Sequence, residues 1–224
     1  MVAEPTRVLT GAMHITKHEH AALTIVERGE TLLIDPGMFT TDLPGLGSLS
    51  AVVITHEHAD HWTPEHLARL AEIAPDAPIF APEGAARATG DSPIRIVHPG
   101  ETVTAGAFSL AFFGGSHEEI HSSLPVIDNV GVLVNDRFYY PGDSYALPGD
   151  ASIDVLAAPT GAPWLRLGDT MDFILAARAG TVFPTHDRTL SAAGRGMHVA
   201  RMTWAAEQAG GRLVDLADGE GVDA

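Results

Sequence analysis

The stretch Thr55-His56-Glu57-His58-Ala59-Asp60-His61 carries the densest potential chemistry in the chain. Its last six residues hold three imidazoles and two carboxylates. On an extended chain, residues two apart point the same way, which puts His56, His58 and Asp60 on one side. His61 points elsewhere unless the chain turns, and a turn would let it serve a second centre. Neutral imidazole ligates zinc, iron, copper and nickel, and carboxylate also suits manganese. A lone His-x-His reads first as a solvated loop or a chance chelating tract. His-x-His-x-Asp-His directly after the apolar run Ala51-Val52-Val53-Ile54 reads instead as ligands for two adjacent metals.

Further candidates recur downstream, each after an apolar run: Gly114-Gly115-Ser116-His117, Tyr140-Pro141-Gly142-Asp143-Ser144 and Phe183-Pro184-Thr185-His186. Loops at strand ends are where α/β folds build sites. Each alone reads as a turn residue or a satisfied polar group. In order behind His56 to His61, they read as a set.

The elements that must position these residues are mostly short strands. Ala22 to Val26 and Thr31 to Asp35 flank Glu27-Arg28-Gly29-Glu30, a hairpin signal, within a strand-rich region from Thr6 to Asp35. Met38 to Leu49 has no periodicity and reads as a loop, with Met38 and Phe39 as a candidate apolar flap. Thr63-Pro64 starts a helix with an N-cap and a first-turn proline. Strands are expected at Pro78-Ile79-Phe80, Ile94 to Val97, Thr102 to Thr104 and Phe108 to Phe113. Pro82 to Ala88 is expected to be helical. Val130 to Val134 and Phe138 to Tyr140 form a hairpin about Asn135-Asp136, and Asp154 to Ala158 and Thr181 to Pro184 are strands. Helices are expected over Asp169 to Ala179 and Gly196 to Ala209, with a strand from Arg212 to Leu216 and a frayed tail from Ala217. This order suits two packed sheets with helices outside, in one domain spanning 1–224.

Composition narrows the function. The net charge is −16, with 13 basic residues against 29 acidic and Lys17 the only lysine. So acidic a chain repels phosphate backbones, which argues against a nucleic-acid partner and for a small-molecule substrate. Absence of cysteine excludes thiolate chemistry and cysteine zinc sites. No apolar stretch approaches a membrane span, and the start lacks the basic-then-apolar pattern of a signal peptide, so a cytoplasmic location is expected. Self-association is left open.

His117-Glu118-Glu119-Ile120-His121 matches the His-Glu-x-x-His protease pattern. That chemistry needs a helix, and Gly114-Gly115 before it and Ser122-Ser123-Leu124-Pro125 after it argue against one. His121 stays a candidate pocket residue. His18 and His20, as alternating strand residues, would share one side. Trp164 and Arg166 follow a Pro/Gly-rich stretch and are candidate substrate contacts, although a tryptophan there could equally pin a loop. His14, His66, His98 and His198 read as structural or surface residues.

The motif at His56 to His61, with His117, Asp143, His186 and the early Leu33-Ile34-Asp35-Pro36-Gly37, resembles the metallo-β-lactamase superfamily over nearly the whole chain. The resemblance implies an α/β, four-layer αββα sandwich. It implies that His56, His58 and His117 bind one metal and Asp60, His61 and His186 the other, with Asp143 bridging. Asp35 would orient a ligand or loop, and Asp60 and His121 are the candidate catalytic side chains. His20-Ala21, Gly142-Asp143-Ser144, Ala158-Pro159-Thr160-Gly161 and Pro184-Thr185-His186 resemble the compact group similar to L-ascorbate-6-phosphate lactonase. Lys17-His18-Glu19 and Ala158 to Trp164 depart from that group near the expected substrate position, so its substrate does not carry over. The implied activity is hydrolysis of a small ester, lactone or phosphoester by a hydroxide held between two divalent ions. Zinc is the default, and manganese or iron suits a carboxylate-rich second site. The alternatives are a small-nucleotide phosphodiesterase and a non-catalytic, metabolite-binding member.

Overall fold

Strands with apolar residues on both faces need cover on both sides, and the chain supplies it in four layers. A computed structural model describes residues 12–42, 45–90 and 92–224. Its strands and helices in chain order are β1 (His14–Lys17), β2 (Leu23–Glu27), β3 (Glu30–Ile34), β4 (Ser48–Val53), α1 (Pro64–Ile73), β5 (Ile79–Ala81), α2 (Glu83–Ala88) and β6 (Ile94–Ile96). Then come β7 (Thr102–Ala105), β8 (Phe108–Gly114), β9 (Val130–Val134), β10 (Phe138–Tyr140), β11 (Val155–Pro159) and α3 (Leu167–Ala177). The chain closes with β12 (Thr181–Thr185), α4 (Ala192–Gln208), β13 (Arg212–Leu213) and β14 (Gly221–Asp223).

The strands form two seven-stranded sheets, ordered β14-β1-β2-β3-β4-β5-β6 and β13-β12-β11-β10-β9-β8-β7. Alternation along each strand sends side chains to two different cores. Leu32, Ile34, Ala51 and Val53 face the second sheet, where they meet Phe112, Val132, Phe138 and Phe183 in the central core. Leu33, Val52 and Ile54 turn the other way, onto Leu67 and Leu70 of α1 and Ala85 of α2. Leu133, Tyr139, Leu156 and Val182 leave the central core for α3 and α4, packing on Phe173, Ile174, Met202 and Ala205. The result is the expected αββα sandwich.

Local signals set several boundaries. Thr63 caps α1 by accepting from the His66 N–H at 3.1 Å, with Pro64 at the first position. The β9–β10 turn carries Asn135 and Asp136 at φ 49° and 55°, the left-handed pair that a tight hairpin requires. The last helix starts at Ala192 rather than Gly196, because Ser191 accepts from the Gly194 N–H at 3.1 Å and caps it. Likewise α3 begins at Leu167, not Asp169.

Two expectations need larger correction. The tail is not frayed: β14 pairs antiparallel with β1, Ile15 opposite Val222. Lys17, buried under the same segment, donates to Asp218 at 2.7 Å and lies 3.5 Å from Asp187. His18 and His20 are not alternating strand residues, since β1 stops at Lys17 and β2 begins at Leu23. Residues 6–11 of the region expected to be strand-rich, and Leu43-Pro44 of the expected loop, lie outside the described residues.

Candidate metal centre

Neighbouring strands end at one rim of the sandwich and deliver their loops there. His56, past β4, makes a bridge to Asn129, just before β9. Asp143 follows β10, and His186 follows β12. Asn129 holds the Asp143 turn from both sides, accepting the Asp143 N–H at 3.1 Å and donating to the Pro141 carbonyl at 2.9 Å. Gly142 is required beside it: its φ is +65°, and a Cβ there would lie 2.4 Å from the Asn129 side-chain oxygen. Gly37 is required for a different reason, since a Cβ would lie 1.8 Å from the Asp60 carbonyl oxygen.

The sequence candidates converge. His56, His58, His117 and Asp143 offer donor atoms within 4.8 Å of one another, as do His61, Asp143 and His186. His56, Asp60 and His61 form another such group, as do His20, Asp60 and His186. Two donors bonded at about 2.0–2.1 Å to one tetrahedral ion sit roughly 3.3 Å apart. The observed spacings match: His56 Nε2 to His58 Nδ1 is 3.1 Å, His61 Nε2 to Asp143 Oδ1 is 3.3 Å, and His117 Nε2 to Asp143 Oδ2 is 3.4 Å. His186 Nε2 lies 3.3 Å from both Asp60 Oδ2 and Asp143 Oδ2. His61 Nε2, His117 Nε2, His186 Nε2 and Asp143 Oδ1 are buried without a hydrogen-bond partner in the chain. Buried polar atoms are rarely left so. Donors orphaned together, at ligand spacing, fit divalent cations.

The far nitrogen of each ring explains which atom is free. Thr55 Oγ1, which donates to Asp35 at 2.6 Å, accepts from His56 Nδ1 at 3.1 Å. His61 Nδ1 donates to Asp35 Oδ2 at 2.7 Å, and His186 Nδ1 to the Gly161 carbonyl at 2.7 Å. His117 Nδ1 donates to the Glu118 carbonyl at 2.5 Å. Such acceptors fix the proton on Nδ1 and aim the Nε2 lone pair at the cluster. Asp35 is fully buried and also accepts the Thr55 N–H at 2.8 Å, so it locks the segment that carries both His56 and His61.

Without cations, protons take up the charge. Burial alone would depress His61, but the carboxylates of Asp143 and Asp35 overcome it and raise it well above its usual value. Burial also opposes charge on His186, yet Asp143 and Asp60 raise it to about 9. Burial and the neighbouring His61 push His56 well down, and burial and His117 lower His58. Burial would raise both carboxyls, but the neighbouring His186 ring and the hydrogen bond from His20 hold Asp60 low, and the charges of His186 and His61 hold Asp143 low.

The remaining candidates divide. His20, at φ 59°, sits in the β1–β2 turn, where its carbonyl accepts the His186 N–H and the Thr185 hydroxyl, both at 2.8 Å. Its Nδ1 accepts the Arg188 N–H at 3.3 Å, which leaves Nε2 as the donor to Asp60 Oδ2 at 3.2 Å. Burial holds this ring near a pKa of about 4, hence neutral. His20 therefore orients Asp60. Trp164 donates its indole N–H to Asp143 Oδ2 at 2.9 Å and packs edge-on against His117. The sequence reading offered substrate contact or loop pinning for Trp164 and missed this hydrogen bond to Asp143. Arg166 does not join the cluster: it is 82% exposed at the head of α3, with Asp169 as its ion-pair partner. His121 is exposed and bonded to Ser123, and no helix runs through His117 to His121, so the protease geometry is absent. An apolar cavity of about 430 Å³ under α1, lined by Val52, Leu67 and Leu70, contains none of the cluster residues.

Comparison with known proteins agrees with this fold. A family model described as a β-lactamase superfamily domain matches residues 14–186, and the chain belongs to that superfamily of metallo-hydrolases. It is 36% identical over 197 residues to Protein Rv0786c of Mycobacterium tuberculosis, covering 85% of this chain and 92% of that one. Igni18, a metallo hydrolase from Ignicoccus hospitalis, superposes with a TM-score of 0.72 at 16% identity, over 95% of this chain and 98% of that one. CmlA, a diiron β-hydroxylase from Streptomyces venezuelae, superposes with a TM-score of 0.65 at 15% identity, over 99% of this chain and 55% of that one. One fold therefore serves two chemistries, and function must be argued from the site. Among the described residues, no helix is long and apolar enough to cross a membrane.

Proposed function

We propose that the protein is a binuclear metal-dependent hydrolase of a small ester, lactone or phosphoester. The observation that carries this reading is the set of orphaned donors at ligand spacing around Asp143. His56, His58 and His117 would hold one divalent cation and Asp60, His61 and His186 the other, with Asp143 shared. Zinc suits the imidazole-rich first set, and manganese or iron suits the second. Bound there, such cations would bring the pKa of a water to about 7 and polarise the scissile carbonyl or phosphoryl oxygen.

The chain's own groups do the rest. Asp35 and the Gly161 carbonyl hold His61 and His186 in the tautomer that leaves Nε2 free. His20 and Trp164 each donate to a carboxylate oxygen, Asp60 and Asp143 respectively, and so set which lone pairs remain available. The substrate is small and is not a nucleic acid, in keeping with the −16 net charge.

Two measurements test this together. Elemental analysis of protein supplied with zinc or manganese should find close to two divalent ions per chain. The loaded protein should hydrolyse members of an ester, lactone and phosphodiester panel. At most one ion at saturation would overturn the binuclear assignment. Full loading with no turnover on the panel would favour a non-catalytic, metabolite-binding role.

A further inference from the structure

We propose that the substrate's portion beyond the metals is uncharged and apolar, seated on a rim formed by Met38, Phe39, Ile120, Leu124 and Val126. This rests on the hydrolase reading above and adds the substrate class to it. Exposed apolar side chains are ordinarily scattered singly, and a cluster of them marks a binding surface. Here they lie on two loops, one held against the Asp60 segment and one leaving from His117. Met38 donates its N–H to the Ala59 carbonyl at 2.9 Å, beside Asp60, and its side chain is 61% exposed. Phe39 lays its ring 4.6 Å from that of His20. The second loop departs at His117 and returns at Ile127, whose carbonyl accepts the His117 N–H at 3.0 Å. Glu119 to Val126, the arch between, is exposed throughout. It carries Ile120, Leu124 and Val126 at 38%, 51% and 54% exposure.

Charge separates an apolar occupant from an anionic one. The loops at 36–42, 55–63, 114–128 and 141–150 contain no lysine or arginine. The loops before α3 and α4 contribute Arg166 and Arg188, and both are committed to carboxylates: Arg166 to Asp169, and Arg188 to Asp218 at 3.0 Å and Glu19 at 3.7 Å. The same loops carry acidic residues, Glu57 and Glu119 among them. Among the described residues, a phosphate or carboxylate outside the metals would thus find no uncommitted cation to receive it. Recognition of such groups ordinarily uses arginine or lysine. An alkyl or aryl group would find the rim.

The test compares 4-nitrophenyl hexanoate with the mono-4-nitrophenyl ester of adipic acid, which has the same chain length and leaving group but ends in a carboxylate. The zinc- or manganese-loaded protein should show kcat/KM at least tenfold higher on the hexanoate. Leu124→Lys should narrow that ratio at least fivefold. A parallel calorimetric comparison uses hexanohydroxamic acid and its carboxylate-ended analogue, and the former should bind at least tenfold tighter. Equal or inverted preference in both assays would overturn the apolar rim. No turnover of either ester or of any member of the lactone and phosphodiester panel, with the hydroxamate preference intact, would remove the hydrolase reading and leave the rim standing. A dimer that Leu124→Lys dissociates while the ester ratio stays unchanged would reassign the arch to contact between two copies and overturn the proposal.

Discussion

The two halves of the cluster are built differently. His56, His58 and His117 come from one strand end and one loop, and among the described residues none of them has a left-handed backbone. Burial already holds His56 and His58 toward the neutral state that a metal requires. The other half draws on separate segments and stores strain: His186 sits at φ 56° and the supporting His20 and Asp35 at 59° and 46°. Such backbone costs on the order of 1–3 kcal/mol per residue and persists where the surroundings impose it. Here His61 and His186 hold protons against Asp143, Asp35 and Asp60. In the proposed assignment, one half is a ready nitrogen set, whereas the other would exchange protons for its cation. The second half should therefore fail first under mutation or acid.

The largest expected effect removes a donor from that second half. His186→Ala should lower kcat/KM at least about 100-fold and leave close to one metal per chain. His58→Ala, in the ready half, should also impair activity but leave the His61–His186 side able to bind. Elemental analysis beside single-turnover rates checks both variants. Two metals retained in His186→Ala, with near-normal turnover, would erase the asymmetry.

Acid should act on the same half. The pKa of His186 in the metal-free fold is raised to about 9 from an unfolded value of 6.5. Its protonated form thus stabilises the metal-free fold fully below about pH 6.5, and that contribution is lost as pH rises through about 9. Metal binding needs the ring neutral, so loading releases its proton and gains about tenfold in affinity per pH unit per proton across this window. The gap in Tm between loaded and stripped protein should widen by at least about 5 °C from pH 6.5 to pH 8.5. A flat gap would mean that the second half binds without proton exchange.

Much of this architecture was legible because strand patterns with two apolar faces have few places to go. The Val130–Val134 and Phe138–Tyr140 hairpin is where periodicity and its turn put it. The seven nominated donors all stand on loops that follow strands, where backbone topology forces convergence. What stayed hidden depends on contacts distant in sequence. The polar tail reads as frayed because its order comes from the β1 edge and from Lys17, about 200 residues away. His20 continues the alternation of its neighbours on paper. In the fold its carbonyl serves His186 and Thr185, and that demand turns it out of the strand. Arg166 looks like a substrate contact until Asp169, one helical turn on, takes it.

A subtler break of the comparison leaves every donor in place. Asp35 touches no candidate metal position, yet it accepts from His61 Nδ1, Thr55 N and Thr55 Oγ1. Asp35→Ala would free His61 to flip tautomer and leave the Thr55 N–H buried without its acceptor. Loss of such supporting partners typically costs 10–100-fold in metal affinity. Competition against a chromophoric chelator should show the larger loss in the binding step of the half containing His61, which Asp35 bonds directly, and a smaller one in the half containing His56, which it reaches through Thr55. Equal weakening of both steps would imply that Asp35 supports the whole rim rather than one ring.

The smallest effect belongs to Glu118, and its smallness is the informative result. In a His-Glu-x-x-His protease helix, the glutamate would activate water beside two histidines four residues apart. Here the segment is an arch, His121 is exposed and bonded to Ser123, and only His117 of the two joins the cluster. Glu118 turns its carboxylate to the Tyr145 N–H at 3.2 Å, and its own N–H donates to the Asp143 carbonyl at 2.9 Å. Only the first of these bonds is lost in Glu118→Ala, since the backbone bond beside Asp143 survives. The variant should keep both metals and lose less than about tenfold in kcat/KM. A Glu118→Ala protein that holds its metals and is inactive, beside an active His186→Ala protein, would transfer the chemistry to the arch and dissolve the division between the two halves.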